Sequence, residues 1–477
     1  MELPALAAGF LIICLPIYTH EFSLLPLFGI NSELYAYSGF FTVLLAFGLE
    51  TGFFRFYHKE ENRQKIVFST GLAFLTITSL IFIVLIYFFN GGLAALMHYQ
   101  GMEYYIICFG WILALDALGA LPFALLRAEN KPIRFAAIKF AEIAVNIGLN
   151  LFFLVFCRKA FYNGENNWLA SLYNPDIGVG YIFISNLAAS AVKVLLLSPQ
   201  LMLISSGFDA TLLKKMLRYS LPMTVIGFAG IINEMLDRMS LKYLLSGTVQ
   251  ENLAQLGIYS ACYKLSILMN LFIQAFRYAA EPFFFAQASR KDSPKIYADV
   301  LLYFTIFCVF IFLMISLFLQ YFGLFIGQDF RSGLSIVPIL LIANMFFGIY
   351  TNLSIWYKLT DRTLYGALVA LLGAAVTIVL LWWWVPRMGY HGAAWATLGC
   401  YIFMTVVSYI LGQKYFPVPY NIPKVLAYIL FGIGCYLVHK QVISIYVSEE
   451  ISGAVLLMIF IFVVLVMESK NFNHARN

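Results

Sequence analysis

Apolar runs of roughly 20 residues alternate with short polar connections along almost the whole chain. Such a run is long enough for one helix to cross the hydrocarbon core of a bilayer. Because that core offers no water to the backbone, the pattern predicts an all-α polytopic membrane protein. We predict about fourteen transmembrane helices, at approximately Leu3–Tyr18, Leu34–Phe54, Ile66–Phe89, Tyr105–Leu126, Ile133–Phe156, Ile177–Leu197, Tyr219–Leu236, Leu256–Phe276, Val300–Ile326, Leu334–Trp356, Leu364–Val385, Gly392–Leu411, Ile422–Val438 and Ile451–Met467.

One of these runs carries a continuous polar stripe. Its members follow one another at steps of three or four, which puts them on one face of a helix. They are Tyr259, Tyr263, Ser266, Asn270, Gln274, Arg277 and Glu281. Polar groups that point at hydrocarbon cost several kcal/mol each, so we expect this face to look inward, away from lipid.

The spacing of Tyr37-Ser38 from Arg55 equals that of Tyr259-Ser260 from Arg277. This coincidence favours a two-fold internal repeat, which is common in transporters. We therefore predict an N-terminal lobe of helices 1–6 over residues 1–200, a C-terminal lobe of helices 7–12 over residues 201–412, and helices 13–14 over residues 413–477.

Lys and Arg are concentrated in alternate connections, and the two termini fall on the basic side. The positive-inside rule then predicts that both termini are cytoplasmic.

The composition supports a membrane protein and argues against other classes. Hydrophobic residues make up 62% of the chain and charged residues 11%, about half the charge of a soluble domain. The formal net charge of +6 is spread in small groups without an extended basic face, so we expect no nucleic-acid partner. The seven cysteines show no metal or disulfide spacing. No phosphate-binding loop, nucleophile elbow or zinc motif is present, so we expect neither an enzyme nor a cofactor.

Ionisable side chains inside the apolar runs need a partner or a function, because the membrane interior disfavours charge. Asp116, Glu142 and Lys264 are the deepest. A purely structural interpretation is that such charges form pairs between packed helices, with Glu234–Arg238, Lys139–Glu142 and Glu50–Arg55 satisfying one another. Lys139 and Lys193 lie near cytoplasmic run ends, where we expect their ammonium groups to reach the interface.

The functional interpretation is a cationic track for an anionic head group. Arg55, Lys264 and Arg277, with Arg238 at the outer end, would form it, since the guanidinium fork suits phosphate oxygens. Asp116 and Glu142 would then bind a driving proton or a cation such as sodium. The other polar residues expected in the cavity or in coupling are Asn146, Asn150, Tyr263, Asn270, Gln274 and Asp237.

Several short motifs, in this order and spacing, resemble the bacterial polysaccharide lipid flippases of the multidrug, oligosaccharidyl-lipid and polysaccharide exporter superfamily. In the first half they are Ser32-Glu33-Leu34-Tyr35-Ala36-Tyr37 and Gly48-Leu49-Glu50-Thr51-Gly52-Phe53-Phe54-Arg55-Phe56. In the second half they are Leu221-Pro222, Asp237-Arg238, Leu256-Gly257-Ile258-Tyr259-Ser260, Tyr263-Lys264, Ala275-Phe276-Arg277 and Glu281-Pro282.

The resemblance implies two six-helix lobes related by a pseudo-two-fold axis, two further C-terminal helices and a central cationic cavity. It implies alternating access that moves an undecaprenyl-diphosphate-linked oligosaccharide to the outer leaflet of the bacterial inner membrane, for O-antigen, capsule or a related polysaccharide. Membrane lipids and a glycan polymerase are the implied partners. The family's functional positions fall on Arg55, Asp237, Arg238, Lys264 and Arg277. The first helix departs from the family pattern, since it is short before Pro16-Ile17-Tyr18-Thr19.

Two alternatives remain open at the level of sequence. A multidrug cation antiporter of the same fold would need surplus carboxylates in its cavity. A membrane glycan polymerase or ligase would need a sizeable external loop, and the segment from Cys157 to Asp176 is small for that.

Overall fold

The computed structural model describes residues 24–59, 63–99, 101–178, 180–287, 293–360, 362–443 and 449–474. These residues form helices joined by short turns, and they contain no strand. The predicted all-α class is thus confirmed. The predicted first span, Leu3–Tyr18, lies outside the described residues.

The chain divides into two compact units, Met1–Ile231 and Ile232–Asn477. The long helices of the first unit are α1 (Leu24–Ala46), α2 (Leu49–Lys59), α3 (Gln64–Leu96), α4 (Glu103–Ala128), α5 (Pro132–Leu151) and α6 (Gly180–Leu196). Its short helical segments are Phe152–Cys157, Arg158–Tyr162, Trp168–Ser171, Ser198–Leu201 and Met202–Ser206. Helix α7 (Ala210–Tyr243) contains the boundary between the units.

The long helices of the second unit are α8 (Val249–Gln287), α9 (Ser293–Leu317), α10 (Val337–Leu353), α11 (Thr363–Met388), α12 (Tyr390–Tyr415), α13 (Ile422–Val438) and α14 (Glu449–His474). Its short segments are Leu319–Gly323, Gln328–Ile336, Ile355–Leu359 and His439–Ile443.

Eleven helices of the described chain are long and apolar enough to cross a membrane. The number is twelve if Gly180–Leu196 and Ser198–Ile204, which bend by 59° at a short break, form one span. The protein is therefore a multi-pass membrane protein, whereas the count of fourteen stays a prediction. The predicted seventh span coincides with the polar-rich helix α7, which is not among the eleven.

Local sequence explains several of the helix boundaries. Proline occupies the first turn of α5, α10 and α13, where its missing N–H costs nothing. The amide oxygen of Asn421 caps α13 by accepting a hydrogen bond from Lys424 N. Phe47 and Gly48 both have positive φ, 48° and 61°, which separates α1 from α2 inside one predicted apolar run.

Asp209 fixes the start of α7. Its carboxylate accepts hydrogen bonds from the Thr211 hydroxyl and from Leu212 N at 3.0 Å, and it pairs with Arg63 at 2.8 Å. The Thr211 hydroxyl bond, together with these partners, holds the pKa of Asp209 well below its ordinary value. The first turn of α7 is therefore capped by a carboxylate that stays charged.

Each unit has its own apolar core. In the first, Leu49, Phe53, Leu72 and Leu121 join α2, α3 and α4. In the second, side chains of α10, α11 and α12 such as Ala343, Val369 and Tyr401 pack together. Small residues allow helices to approach closely in membranes.

Helix α13 offers a matched test of close helix packing. A Cβ atom at Gly432 would lie 2.4 Å from Val309 Cγ1 on α9, whereas one at Gly434 would meet nothing within 4 Å. We expect Gly432→Ala to destabilise the protein by about 1–3 kcal/mol through overpacking. The same substitution at Gly434 should be neutral or stabilising, because alanine is the better helix former. Thermal unfolding of the two purified variants checks this; equal midpoints would contradict the close approach.

Candidate functional site

A buried charge network joins three helices of the first unit. Asp116 lies on α4, Glu142 on α5 and Lys193 on α6. The Lys193 ammonium pairs with Asp116 Oδ1 and, at 2.8 Å, with Glu142 Oε1. The side chains of Lys193, Glu142 and Asp116 are 4%, 8% and 13% exposed, so all three charges have left water. Their mutual pairing is what makes this burial possible.

Two further side chains complete the network. Lys139 donates to Glu142 Oε2 at 2.9 Å, and Ser190 Oγ donates to Asp116 Oδ1 at 2.9 Å. The Lys139 ammonium also lies 4.6 Å from the centre of the Phe123 ring, a cation–π contact. Two carboxylates thus face two ammonium groups, and the network has no net charge.

The structure corrects the prediction for Lys193. A lysine one turn from the end of its run was expected to extend to the interface, but its side chain is buried and bridges two acids. The physical reason is that carboxylates on α4 and α5 offer the ammonium closer partners than water. The pairing of Lys139 with Glu142 is as predicted.

A second correction concerns Glu50. The sequence suggested Arg55 as its partner, whereas Glu50 pairs with Arg127 at 2.6 Å. Arg55 instead lies over the Tyr219 ring, 4.1 Å from its centre. Both side chains of the Glu50–Arg127 pair are 44% exposed, so the pair contributes little to stability.

An amide ladder continues from the charge network along α5. Asn150 Nδ2 donates to Asn146 Oδ1 at 2.9 Å, Asn146 Nδ2 donates to Asn186 Oδ1 at 3.2 Å, and Asn186 Nδ2 donates to Tyr35 Oη at 2.8 Å. Asn146 and Asn150 are 0% and 2% exposed. The sequence singled out these two residues, missed the roles of Asn186 and Tyr35, and placed Lys193 at the interface. Asn186 and Lys193 could have been recognised in the sequence as polar side chains inside an apolar run.

The second unit buries a carboxylate at Asp237, which is 3% exposed. Asp237 accepts hydrogen bonds from the Tyr259 hydroxyl, from Arg238 N at 2.8 Å and from Thr397 Oγ1 at 3.4 Å. The Arg238 guanidinium lies 4.5 Å from the centre of the Tyr263 ring. Asp237 therefore connects α7 with α8 and α12.

The side chains of the polar stripe of α8 become more exposed along the helix. Tyr259, Tyr263 and Ser266 are at most 4% exposed. Lys264 and Asn270 are partly buried, while Gln274 and Arg277 are exposed. The predicted cations are divided between the units: Arg55, which is exposed, belongs to the first, and Arg238, Lys264 and Arg277 belong to the second.

The described residues show no group of three or more His, Cys, Asp or Glu side chains that could hold a metal ion. Within the same part of the chain the cysteines are free, and all but Cys108 are buried.

Comparison with known proteins identifies the fold. No protein-family model matches the chain, and no curated protein matches it. Solved structures do match. One, described as the inward-facing conformation of a multidrug resistance MATE family transporter of the MOP superfamily, has a TM-score of 0.66 at 14% identity, over 87% of this chain and 94% of that one.

Another match, the lipid II flippase MurJ in an inward closed conformation, has a TM-score of 0.65 at 15% identity and covers 94% of this chain and 98% of that one. An outward-facing MATE structure scores 0.57 at 13% identity, over 87% of this chain and 91% of that one. The chain is thus a helical membrane protein with the fold that MATE transporters share with MurJ. At these identities the likeness establishes the fold alone.

Proposed function

We propose that this protein is a flippase that moves an undecaprenyl-diphosphate-linked oligosaccharide from the cytoplasmic to the outer leaflet by alternating access. The glycan would serve O-antigen, capsule or a related surface polysaccharide, and a glycan polymerase would receive it. The observation that carries the proposal is a difference between the surroundings of the acidic and the basic side chains. The deep carboxylates Asp116 and Glu142 are already paired with lysines, whereas Arg55 and Arg277 are exposed.

Arginine side chains in this arrangement are suited to bind an anionic head group. A guanidinium group can offer two parallel N–H donors to phosphate oxygens. We propose that Arg55 in the first unit, and Arg238, Lys264 and Arg277 in the second, serve the diphosphate during transport. Tyr263, Asn270, Gln274, Asn146 and Asn150 are proposed as polar positions for the glycan or for the pathway.

The coupling ion, a proton or sodium, is a separate question. An ion at Asp116 or Glu142 would have to displace Lys193, so we propose that this network mainly holds α4, α5 and α6 together. Asp237 accepts hydrogen bonds from two hydroxyls and a backbone N–H, and the charge of Arg238 acts on it as well. Its hydrogen bonds come from neutral donors, so we propose Asp237 as the candidate for coupling.

A multidrug cation antiporter is the alternative, and the MATE-like fold supports it. Such a protein needs a carboxylate that attracts a cationic drug. Asp237 is the residue on which this alternative depends, because the charges of Asp116 and Glu142 are compensated.

Depletion of the protein separates the two functions. We expect lipid-diphosphate-linked oligosaccharide to accumulate on the cytoplasmic face, protected from an impermeant glycan probe added to spheroplasts, while drug tolerance stays unchanged. A normal leaflet distribution together with heightened drug sensitivity would favour the antiporter instead.

A further inference from the structure

Three aromatic side chains of the second unit form a cluster at the ends of two membrane-crossing helices. Trp356 precedes α11, Tyr365 lies in the first turn of α11, and Tyr415 is the last residue of α12. The Trp356 and Tyr415 rings are stacked with their centres 5.9 Å apart, and the Tyr365 hydroxyl donates to the Tyr415 hydroxyl at 2.8 Å. Such amphipathic rings are enriched where a membrane meets water.

Two exposed cations lie against this aromatic cluster. The Arg362 guanidinium is 4.4 Å from the centre of the Tyr415 ring, and the Lys414 ammonium is 5.5 Å from the same centre. Both charges also act on the Tyr365 hydroxyl, so the two side chains converge on one place. A cation–π contact orients a cation without neutralising its charge.

Carboxylates do not neutralise these cations in the described part of the chain. None of the ion pairs there includes Arg362 or Lys414, and Asp361, which precedes Arg362, lies outside the described residues. Arg362 is also the N-cap residue of α11, and no side chain caps the first turn of this helix. Because a helix N-terminus carries partial positive charge, a cation there is unfavourable unless an anion joins it.

The position of Lys414 indicates that this anion comes from a lipid. Lys414 is the last of four residues that follow one another at steps of four, which puts them on one face of α12. The other three are Ile402, Val406 and Ile410, which are 37%, 48% and 60% exposed, as expected of a face that contacts acyl chains. Lys414 lies where the candidate span Tyr390–Tyr415 ends, which is the level of the phospholipid headgroups.

We propose that Arg362 and Lys414 bind the phosphate of an anionic phospholipid, such as phosphatidylglycerol, on the side of the membrane that the Lys and Arg distribution predicts to be cytoplasmic. The phosphate compensates both cations and the N-terminus of α11, while an acyl chain lies along the exposed apolar face of α12. Tyr415 is a positioning residue that holds the two cations together. The site shares no residue with the diphosphate site of the proposed function and does not depend on it.

The test measures the affinity of the purified full chain in detergent for two lipids by native mass spectrometry. The wild type should prefer phosphatidylglycerol to phosphatidylcholine, because the choline cation offsets the phosphate of the second lipid. Arg362→Gln combined with Lys414→Gln should weaken phosphatidylglycerol binding about tenfold or more, the loss expected for at least one charged hydrogen bond. Its affinity for phosphatidylcholine should stay as in the wild type. A wild type without a preference would overturn the site.

Lys214→Gln combined with Lys215→Gln is the matched control. Both lysines are exposed near the start of α7, so this variant removes the same amount of charge elsewhere. It should bind phosphatidylglycerol like the wild type. Equal losses in the two double variants would show a general attraction between basic residues and anionic lipid, and the specific site would be wrong.

Substitutions of Tyr415 test the role of its ring. Tyr415→Phe keeps the ring and should keep the affinity for phosphatidylglycerol, whereas Tyr415→Leu should weaken it because the cations lose the surface that orients them. Equal affinities of these two variants would contradict the positioning role.

A soluble competitor identifies the source of the phosphate. Glycerol 3-phosphate carries a phosphate but no acyl chain, so it should not displace phosphatidylglycerol from the wild type at an equal concentration. Displacement would show that the site takes a soluble phosphate compound, and the assignment to a lipid would be wrong.

Discussion

Arg277→Ala is expected to abolish export of the lipid-linked glycan while the protein accumulates to near-normal levels. The Arg277 side chain is exposed on the polar stripe of α8. A hydrogen bond to a charged group contributes about 1.5–3 kcal/mol, so its loss should weaken diphosphate binding roughly 10- to 150-fold. Export is measured by complementation of a depleted strain, with the membrane protein quantified in parallel.

Two variants make the result specific to the guanidinium. Arg277→Lys should retain partial export, because an ammonium keeps the charge but cannot offer two parallel donors. Arg387→Ala is the control, since Arg387 is another exposed arginine; it lies in the last turn of α11, 4.3 Å from the centre of the Trp383 ring. Normal export by a stable Arg277→Ala protein would remove Arg277 from the substrate site.

The elements of this fold could be predicted from sequence because they depend on local pattern. The length of each apolar run sets the length of its span. Pro338 and Asn421 mark helix starts through local geometry, independently of tertiary contacts. Even here, one predicted run is interrupted, because Phe47 and Gly48 adopt positive φ. Sequence periodicity does not report a turn whose residues are themselves apolar.

The candidate site was less predictable because it depends on which helices become neighbours. Asp116 and Glu142 were recognisable as costly charges, yet their partner Lys193 is distant in sequence and looked like an interfacial residue. The partner of Glu50 was missed for the same reason, since Arg127 is on α4.

Lys193→Met should produce the largest loss of stability in the first unit. The substitution keeps the apolar stem but removes the ammonium that Asp116 and Glu142 share, and it leaves Asp116 with a serine hydroxyl in place of a charge. Breaking a buried ion pair by removing one partner costs about 3–5 kcal/mol. Thermal unfolding of the purified protein in detergent measures the effect, which should appear as a large drop in melting temperature.

The destabilisation should be reversible by neutralising the carboxylates, because the cost comes from stranded charge and not from lost volume. Adding Asp116→Asn to Lys193→Met should recover much of the melting temperature, whereas adding Glu142→Gln should recover less, because Glu142 keeps Lys139. Lys139→Met is the matched control: its side chain is 29% exposed and Glu142 keeps Lys193, so the loss should be small. If Lys193→Met melts no earlier than Lys139→Met, the network does not hold the three helices together. Asp116 and Glu142 would then be free to serve as coupling residues after all.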